Sequence, residues 1–519
     1  MTLLDDHRCV SSSDLEYFQL ESPFSSFDFV EKRFGETNSI RRLFSLARSF
    51  SCQTLIVETI PVAGIITEEN EDILARYPDH RNDGLLRLSF WNVELSAKAH
   101  PHLNQENLVG YAILKFDSVP SRSIAQWHVF EAVFVKYAHE HNCVPRAGQY
   151  RLVVGSTSLI ITGILYCQQN GLNKACAQVA LRSLISRCLL EGDISYRRIN
   201  KLAEQVNPAF EPAQGLSVPQ IRAILAGLGI EYSDIDYSQD QNDRRRELPY
   251  QKYAYAGLES GCGALVGFRL TGQELQYEAK HIIPFYGHTF NKDTWVPDAE
   301  ISYFRIGETA GYVPSESWTS SFIGHDDNFG PNFCIPRLYI EHDKVDYVVE
   351  LFRPGIRYSG VKAEAIALDI LYSALSTLSK GNKWINRLIQ WAMKQQIVFR
   401  AQAASVTEYT DHLQSLTDWE GEREDQALPL ALAKVMPSYV WAVEISTPQL
   451  FPANERKLGE IVLDATRQPE LQEISDFFNI FLFARLPGIY LLGGDVINET
   501  PSFTQIPSKI NSHTELFKF

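Results

Sequence analysis

The hydrophobic and polar positions in the first part of the chain follow the two-residue alternation that is typical of β-strands. Runs of β-branched and aromatic residues alternate with Pro, Asn, Gly and Asp, which favour turns. Strands are predicted over 53–58, 85–93, 110–116 and 127–137, and a hairpin over 150–154 and 158–166 around Gly155. A helix with Arg and Lys on one side is predicted over 27–50. These patterns indicate a β-rich N-terminal domain at residues 1–150.

The middle of the chain changes from strands to helices and back. Helices are predicted over 174–190, 195–206 and 217–228, and strands over 264–270, 281–286 and 294–297. The third helix has Ser217 as its N-cap and Pro219 in its first turn, which is a typical helix start. Helices followed by strands predict an α+β domain at residues 151–330.

The last part of the chain, residues 331–519, contains segments with strand periodicity and segments with helical periodicity. It is predicted to be an α/β accessory region. Strands are predicted over 334–341, 345–352 and 439–445, helices over 361–379 and 383–399, an acidic linker over 418–426, and a buried apolar element over 474–492. The segment 380–400 carries Lys and Arg beside Trp384 and Trp391. An amphipathic helix with a charged outer face is the favoured interpretation of that segment, and an acidic or nucleic-acid partner is the alternative.

Charge and cysteine content narrow the function classes. The 519 residues contain 48 Lys and Arg against 63 Asp and Glu, a formal net charge of −15. This charge makes nucleic-acid binding and anionic-membrane binding unfavourable over the average surface. No signal peptide and no membrane span are predicted. Because the eight cysteines include no CxxC pair, we expect reduced thiols in a cytoplasmic protein with no metal and no cofactor.

The best candidate for chemistry is Cys176, which the helical pattern places in the first turn of a helix. The free N–H groups and the positive end of the helix dipole at that position stabilise a thiolate. Ala175 and Ala177 beside it are small and leave room for a substrate carbonyl. The alternative is a small core cysteine, because Val179, Ala180 and Leu184 continue an apolar stripe from it.

Two further motifs accompany this cysteine. Gln169 precedes Cys176 by seven residues, and the segment KHIIPFYGHTFNKDTWVPDAE begins a predicted strand at His281. Gly287 follows His281 at plus six, and Asp298 follows His281 at plus seventeen. The order of these residues along the chain, glutamine, cysteine, histidine and then aspartate, resembles that of the papain-like cysteine peptidases in the broad sense, including the bacterial bacteriocin-leader peptidases and their relatives. The chain lacks the Gly and Trp that flank the cysteine in the papain subfamily proper.

The resemblance implies a papain-like core, a helical subdomain against an antiparallel sheet, and a thiol protease that cleaves peptide or isopeptide bonds in a protein substrate. It implies Cys176 as nucleophile, His281 as general base and acid, and Asp298 as the residue that orients the imidazole. It also implies that Gln169 and the Cys176 N–H donate to the oxyanion. Since the papain spacing between glutamine and cysteine is one residue shorter, Gln168 and Asn170 stay open for the role of Gln169.

Several alternatives also stay open. Asp293 and then Asn291 are the next candidates for the orienting residue, and His288 is the rival histidine. The segment GHDDNFGP, residues 324–331, predicts a turn between two strands, or else a group that binds a divalent ion or lines the cleft. The same triad would also serve a deamidase or an acyl-transferase, and a non-catalytic interaction protein is the remaining hypothesis. Neither the substrate nor the oligomeric state follows from the sequence.

Overall fold

The computed structural model describes most of the chain. The described residues are 6–12, 14–21, 24–96, 103–135, 142–189, 192–237, 249–270, 279–291, 311–378, 383–394, 396–417, 421, 423, 427–454, 456–469, 479–497 and 500–508. Within them the fold is mixed α and β, with three sheets of seven strands each. All described strand pairings are antiparallel except one, β12 with β16, defined below.

The strands follow one another along the whole chain. They are β1 (Leu15–Gln19), β2 (Thr54–Thr59), β3 (Arg81–Trp91), β4 (Leu108–Val119), β5 (Ile124–Val135), β6 (Asn142–Cys143), β7 (Gly148–Val154), β8 (Thr157–Tyr166), β9 (Tyr232–Asp236), β10 (Gly261–Leu270), β11 (Ala279–Thr289), β12 (Val313–Pro314), β13 (Ser321–Asp326), β14 (Gly330–Pro336), β15 (Val345–Phe352), β16 (Val398–Ser405), β17 (Tyr439–Ser446), β18 (Gly459–Asp464), β19 (Phe481–Leu486), β20 (Ile489–Ile497) and β21 (Thr500–Pro507).

The helices lie between and around the sheets. They are α1 (Ser26–Phe34), α2 (Asn38–Ser49), α3 (Ile65–Arg76), α4 (Cys176–Ile185), α5 (Tyr196–Glu204), α6 (Val218–Gly227), α7 (Tyr250–Glu259), α8 (Gly360–Leu378), α9 (Lys383–Met393), α10 (Val406–Ser415), α11 (Ala427–Ala433) and α12 (Leu450–Asn454). None of the helices in the described part of the chain is both long enough and apolar enough to cross a membrane.

The first sheet has the order β1-β2-β3-β4-β5-β8-β7 and is covered on both faces. One face packs on α1 and α2 through residues such as Phe34, Leu43 and Phe90. The other face joins the largest buried cluster, which also contains residues of α4, α5 and α6. The predicted hairpin is confirmed as β7 and β8, with Gly155 at φ 58° in its turn. The first sheet and the helices after it therefore share one core.

The second sheet has the order β14-β13-β11-β10-β15-β9, and β6 pairs with the last two residues of β11, His288 and Thr289. Helix α4 packs against β8, β10 and β11, so it lies between the first and second sheets. The predicted helices of this region are confirmed as α4, α5 and α6. The order of helices and then an antiparallel sheet is observed, while the three predicted domains and the two boundaries between them stay predictions.

The third sheet has the order β12-β16-β17-β18-β19-β20-β21 and packs α8 and α9 on one face and α10 on the other. Two sequence predictions are wrong in this part and in the first part of the chain. The helix predicted over 383–399 ends at Met393, and its last residues begin β16. The helix predicted over 27–50 is two helices, α1 and α2, because Gly35 adopts φ 78° between them.

A disulfide joins Cys188 to Cys262, whose Cα atoms are 6.6 Å apart. It connects the residues just after α4 to β10. The expectation that all thiols are reduced is therefore wrong for this pair, because the fold brings together two cysteines that are 74 residues apart in the chain. The predicted strand over 294–297 and most of the acidic linker at 418–426 lie outside the described residues.

Candidate active site

Cys176 is the first residue of α4 and is half-buried at the edge of the largest core cluster. The backbone N–H of Ala175 donates to the side-chain oxygen of Gln178 at 3.2 Å, which caps the helix start. The side-chain amide of Gln178 donates in turn to the carbonyl of Pro212 at 2.9 Å. These two hydrogen bonds fix the helix start against the loop that contains Pro212.

The loop before Cys176 rests on buried charge. The ammonium of Lys174 lies 2.9 Å from a carboxylate oxygen of Glu69, and both side chains are fully buried. Asn170 accepts from the backbone N–H groups of Leu172 and Asn173 at 3.0 and 3.2 Å. Since buried ionic groups are costly to leave unpaired, this network fixes the path of the loop that ends at Cys176.

His281 lies on β11, and the thiol of Cys176 is near enough to its ring to raise the pKa of His281. Its Nε2 lies 3.1 Å from Oδ2 of Asp326 and 3.7 Å from Oδ1 of Asp327. Burial by itself lowers the pKa of His281, but the hydrogen bond to Asp326, the nearby Cys176 and the charges of the two aspartates raise it to about 10. The ring is therefore an imidazolium near neutral pH.

Asp326 ends β13, the strand next to β11 in the second sheet. Burial opposes its charge, but its hydrogen bond to His281 and two backbone N–H donors hold its pKa below the usual range. The donors are the N–H groups of Asn328 and Phe329, at 2.9 and 3.1 Å from Oδ1. One oxygen of this carboxylate is thus fixed by the turn, and the other faces the imidazole.

Three polar residues precede Cys176, and the structure separates their roles. The side-chain oxygen of Gln168 accepts from the backbone N–H of Val129 at 2.9 Å, and Asn170 is buried in the loop network. Gln169 instead donates from its side-chain amide to the side-chain oxygen of Asn328 at 2.8 Å. Asn328 is two residues after Asp326, so Gln169 is the one of the three that faces the His281 region.

The structure brings together Cys176 and His281, as the sequence predicts, and adds Gln169 to the same region. Among the described residues, the carboxylate on the imidazole is Asp326. Asp298 and the alternative Asp293 lie outside the described residues, and the backbone N–H of Asn291 donates to Trp318. The signal for Asp326 was its place in the 324–331 segment, for which a cleft-lining role was one stated interpretation.

The rival histidine, His288, and His325 of the 324–331 segment have other partners. His325 accepts from the backbone N–H of Asn332 at 3.2 Å and lies against the rings of Tyr166 and Tyr286. Burial, together with Arg187, lowers the pKa of His325 to about 3, so its ring is neutral. His288 lies at the other end of β11, where its Nε2 is 2.9 Å from Glu259. Neither histidine contacts Cys176 in any contact that the structure records.

Three groups of side chains in the described part of the chain could hold a metal ion. They are His281 with Asp326 and Asp327, Cys143 with Glu259 and His288, and His412 with Glu444 and Glu460. The first group overlaps the candidate active site. No family model matches the chain, and neither does any curated protein or solved structure. The chemistry therefore has to be argued from the residues alone.

Proposed function

We propose that the chain is a cysteine-dependent hydrolase of papain-like type that cleaves peptide or isopeptide bonds in a protein or peptide substrate, with Cys176, His281 and Asp326 as its triad. The observation that carries this proposal is that one imidazole, on β11, lies 3.1 Å from the carboxylate at the end of β13 and near enough to the thiol at the start of α4 for that thiol to raise its pKa. Nucleophilic catalysis requires a thiolate, a base and a group that orients the base, in this order.

The imidazolium and the helix start both favour the charged form of the nucleophile. A thiolate rather than a thiol attacks the carbonyl carbon, and a neighbouring His⁺ and a helix N-terminus are the usual means of stabilising one. Asp326 accepts from Nε2 of His281, so Nδ1 is the ring nitrogen that serves the sulfur in the proposed triad. After the attack, His281 gives its proton to the leaving amine and then removes a proton from the water that hydrolyses the thioester.

The negative charge on the carbonyl oxygen needs donors. The backbone N–H of Cys176 lies in the first turn of α4, where N–H groups have no partner within the helix. The Gln169 amide carries two hydrogens, one of which goes to Asn328, so the second is available to the oxyanion. Donors of this kind each contribute about 3 kcal/mol to the transition state in enzymes that use them.

We place hydrolysis first among the reactions of this triad. The same thioester could instead transfer its acyl group to an amine, as in an acyl-transferase, or form from a glutamine side chain, as in a deamidase. These reactions differ in their products. Peptide-bond hydrolysis creates new N-termini, and deamidation changes a side chain without cutting the backbone. Mass spectrometry of denatured casein incubated with the full chain therefore separates the two, and Cys176→Ser is the matched inactive control.

A direct test of the triad needs no known substrate. We expect iodoacetamide at pH 6 to alkylate Cys176 at least about tenfold faster than Cys334, since an isolated thiol is under 1% ionised there. Cys334 is an exposed free cysteine whose pKa is raised by burial of its thiol, so it is an internal control. His281→Ala should remove the difference between the two thiols.

Equal rates at Cys176 and Cys334, or no effect of His281→Ala, would contradict the proposal. A chelator gives the complementary control for a metal at His281, Asp326 and Asp327. If the chain cleaves casein, EDTA should leave the cleavage unchanged as long as the far-UV circular dichroism shows a folded chain. Loss of cleavage in a chain that is still folded would favour a metal-dependent hydrolase at the same residues.

A further inference from the structure

A second group of cysteine, histidine and carboxylate lies at the far end of β11. His288 is paired directly with Cys143 across the β6–β11 ladder, and Glu259 is the last residue of α7. One atom from each side chain, the sulfur, a carboxylate oxygen and a ring nitrogen, lies within 4.8 Å of the other two. His288 and Glu259 are fully buried. None of the three belongs to the proposed triad.

The two nitrogens of His288 both face hydrogen-bond acceptors. Nδ1 lies 3.2 Å from the carbonyl oxygen of Thr289, and Nε2 lies 2.9 Å from Oε1 of Glu259. A carbonyl oxygen and an ionised carboxylate can only accept, and a neutral imidazole has a single N–H. A neutral ring therefore leaves one of these contacts as a repulsion between lone pairs. A positive centre is required at Nε2, which is either a second proton or a metal ion.

The donor set matches the preference of zinc. Zn²⁺ binds thiolate sulfur, imidazole nitrogen and carboxylate oxygen, and a site with three protein ligands keeps water as its fourth. A histidine that binds a metal usually donates its other N–H to a backbone carbonyl, which is the relation of His288 Nδ1 to Thr289. The outer partners of Glu259 are also present: Gln402 donates to Oε2 at 2.7 Å, and Arg400 donates to Oε1 at 3.2 Å.

The group of His412, Glu444 and Glu460 differs from the His288 group in the cation that its side chains contact. There the ammonium of Lys457 lies 2.7 Å from His412 Nε2, 3.0 Å from Glu444 and 2.7 Å from Glu460. A side-chain cation thus already occupies the centre of that group. Around His288 no Lys contacts the three side chains in the contacts that the structure records, and the neighbouring cation, Arg400, is shared between Glu259 and Glu444 at 3.2 and 3.8 Å.

We propose that Cys143, Glu259 and His288 bind one Zn²⁺ ion. The ion joins β6, β11 and α7, and through Arg400 and Gln402 it joins the second sheet to the third. The ion is separate from the proposed triad, because no contact that the structure records links Cys143, Glu259 or His288 to Cys176. The proposal does not depend on the hydrolase function.

The test uses the full chain, stripped of metal by dialysis against a chelator and then titrated with Co²⁺. We expect one equivalent to bind and to give the absorption band that arises from charge transfer between thiolate and cobalt. Cys143→Ser should abolish that band, and Glu259→Gln should weaken Zn²⁺ binding by about 10- to 100-fold while keeping the thiolate. Cys176→Ser is the matched control, since it removes a thiol from the other Cys–His group.

Two results would overturn the proposal. One is the absence of a stoichiometric thiolate–cobalt band in the unsubstituted chain, which would leave an imidazolium as the positive centre at His288. The other is a band that Cys176→Ser removes and Cys143→Ser leaves, which would put the metal at the candidate active site. Should Cys143→Ser not fold, the Glu259→Gln titration decides between the same outcomes.

Discussion

Two adjacent carboxylates face His281, and their environments give them opposite properties. Asp326 accepts two backbone N–H bonds and the imidazole, so it stays ionised. Asp327 is more deeply buried, and one of its oxygens has no hydrogen-bond partner. Burial raises the pKa of Asp327 to about 6, although the positive charge of His281 opposes this rise. Of the two, Asp326 is therefore the carboxylate that fits the orienting role in the proposed triad, and Asp327 is a poorly solvated neighbour.

This difference predicts unequal effects of two matched substitutions on the thiol. Asp326→Asn removes the strongest of the contacts that raise the pKa of His281, so the imidazolium loses its proton at lower pH. We expect the pH at which the alkylation rate of Cys176 changes with the charge of His281 to move to lower values, by about one unit for each 1.4 kcal/mol of lost interaction. Asp327→Asn should move that pH less. Alkylation rates with iodoacetamide from pH 5 to pH 10 measure the effects of both variants. A larger effect of Asp327→Asn would assign the orienting role to Asp327.

Asp326 and Asp327 also differ in what their charge does to stability, and Asp327 is the one whose charge is unfavourable. The folded chain holds the Asp327 proton more tightly than an ordinary carboxyl of pKa 3.8 does, so charging this group costs stability as pH rises from 3.8 through about 6. Asp327→Asn removes that cost. We expect the free energy of unfolding to rise by about 1–2 kcal/mol at pH 8 and to change little at pH 4. Urea denaturation at the two pH values measures it, and a loss of stability at pH 8 would show that the Asp327 charge is needed.

At the scale of elements, the start of α4 depends on α3 and β4. Glu69 of α3 lies between Lys174 and Lys115, at 2.9 and 3.3 Å. Glu69→Gln leaves Lys174 buried without a carboxylate in the part of the chain that the structure describes. Removing one member of a buried pair typically costs about 3–5 kcal/mol.

We therefore expect Glu69→Gln to lower the urea midpoint strongly and to slow the alkylation of Cys176, since the loop before it loses its anchor. The control is Glu16→Gln, which breaks the half-exposed pair of Glu16 with Arg33 on the first sheet. That change should cost about 1 kcal/mol or less. Equal losses in the two variants would mean that the loop is not held by the Glu69 network.

The disulfide fixes the other end of α4. Cys188 and Cys262 close a loop of 74 residues between α4 and β10, which corresponds to about 4 kcal/mol of chain entropy. We expect the double variant Cys188→Ser with Cys262→Ser to unfold at a correspondingly lower urea concentration than the oxidised chain, and reduction of the unsubstituted chain to give the same shift. A stability that does not change on reduction would show that the thiols are unpaired in solution.

Local patterns predicted most elements but not the partners that lie far apart in the chain. The helix start at Cys176 and the strand at His281 follow from periodicity, because both signals lie within about ten residues. Helix α1 ends before Gly35 and helix α9 ends at Met393, and no proline marks either end. The carboxylate does not follow from periodicity. Asp326 reaches His281 only because β11 and β13 are neighbours in the sheet, so this contact is set by topology.

On the scale of the whole molecule, buried ion pairs join the layers. Glu131 of the first sheet binds Arg182 of α4, and Glu259 of α7 binds Arg400 of the third sheet. Strand β11 carries a histidine–carboxylate pair at each end, His281 with Asp326 and His288 with Glu259. The protonation of these groups is therefore tied to the integrity of the fold and not only to the candidate site.

These pairs predict how stability depends on pH in the chelator-treated chain. Burial opposes the charge of both histidines, but their partners raise the pKa of each to about 10, so this stabilisation is complete below about pH 6.5 and is lost as pH rises through 10. Burial also opposes the charge of Glu259, but Arg400 and His288 lower its pKa to about 2, so its contribution is present above about pH 4.5 and is lost as pH falls through 2. We expect urea midpoints to be highest between about pH 5 and 7, and His288→Gln to flatten the alkaline decline. Midpoints that rise from pH 7 to 10 would mean that the two imidazoles are neutral in the folded chain.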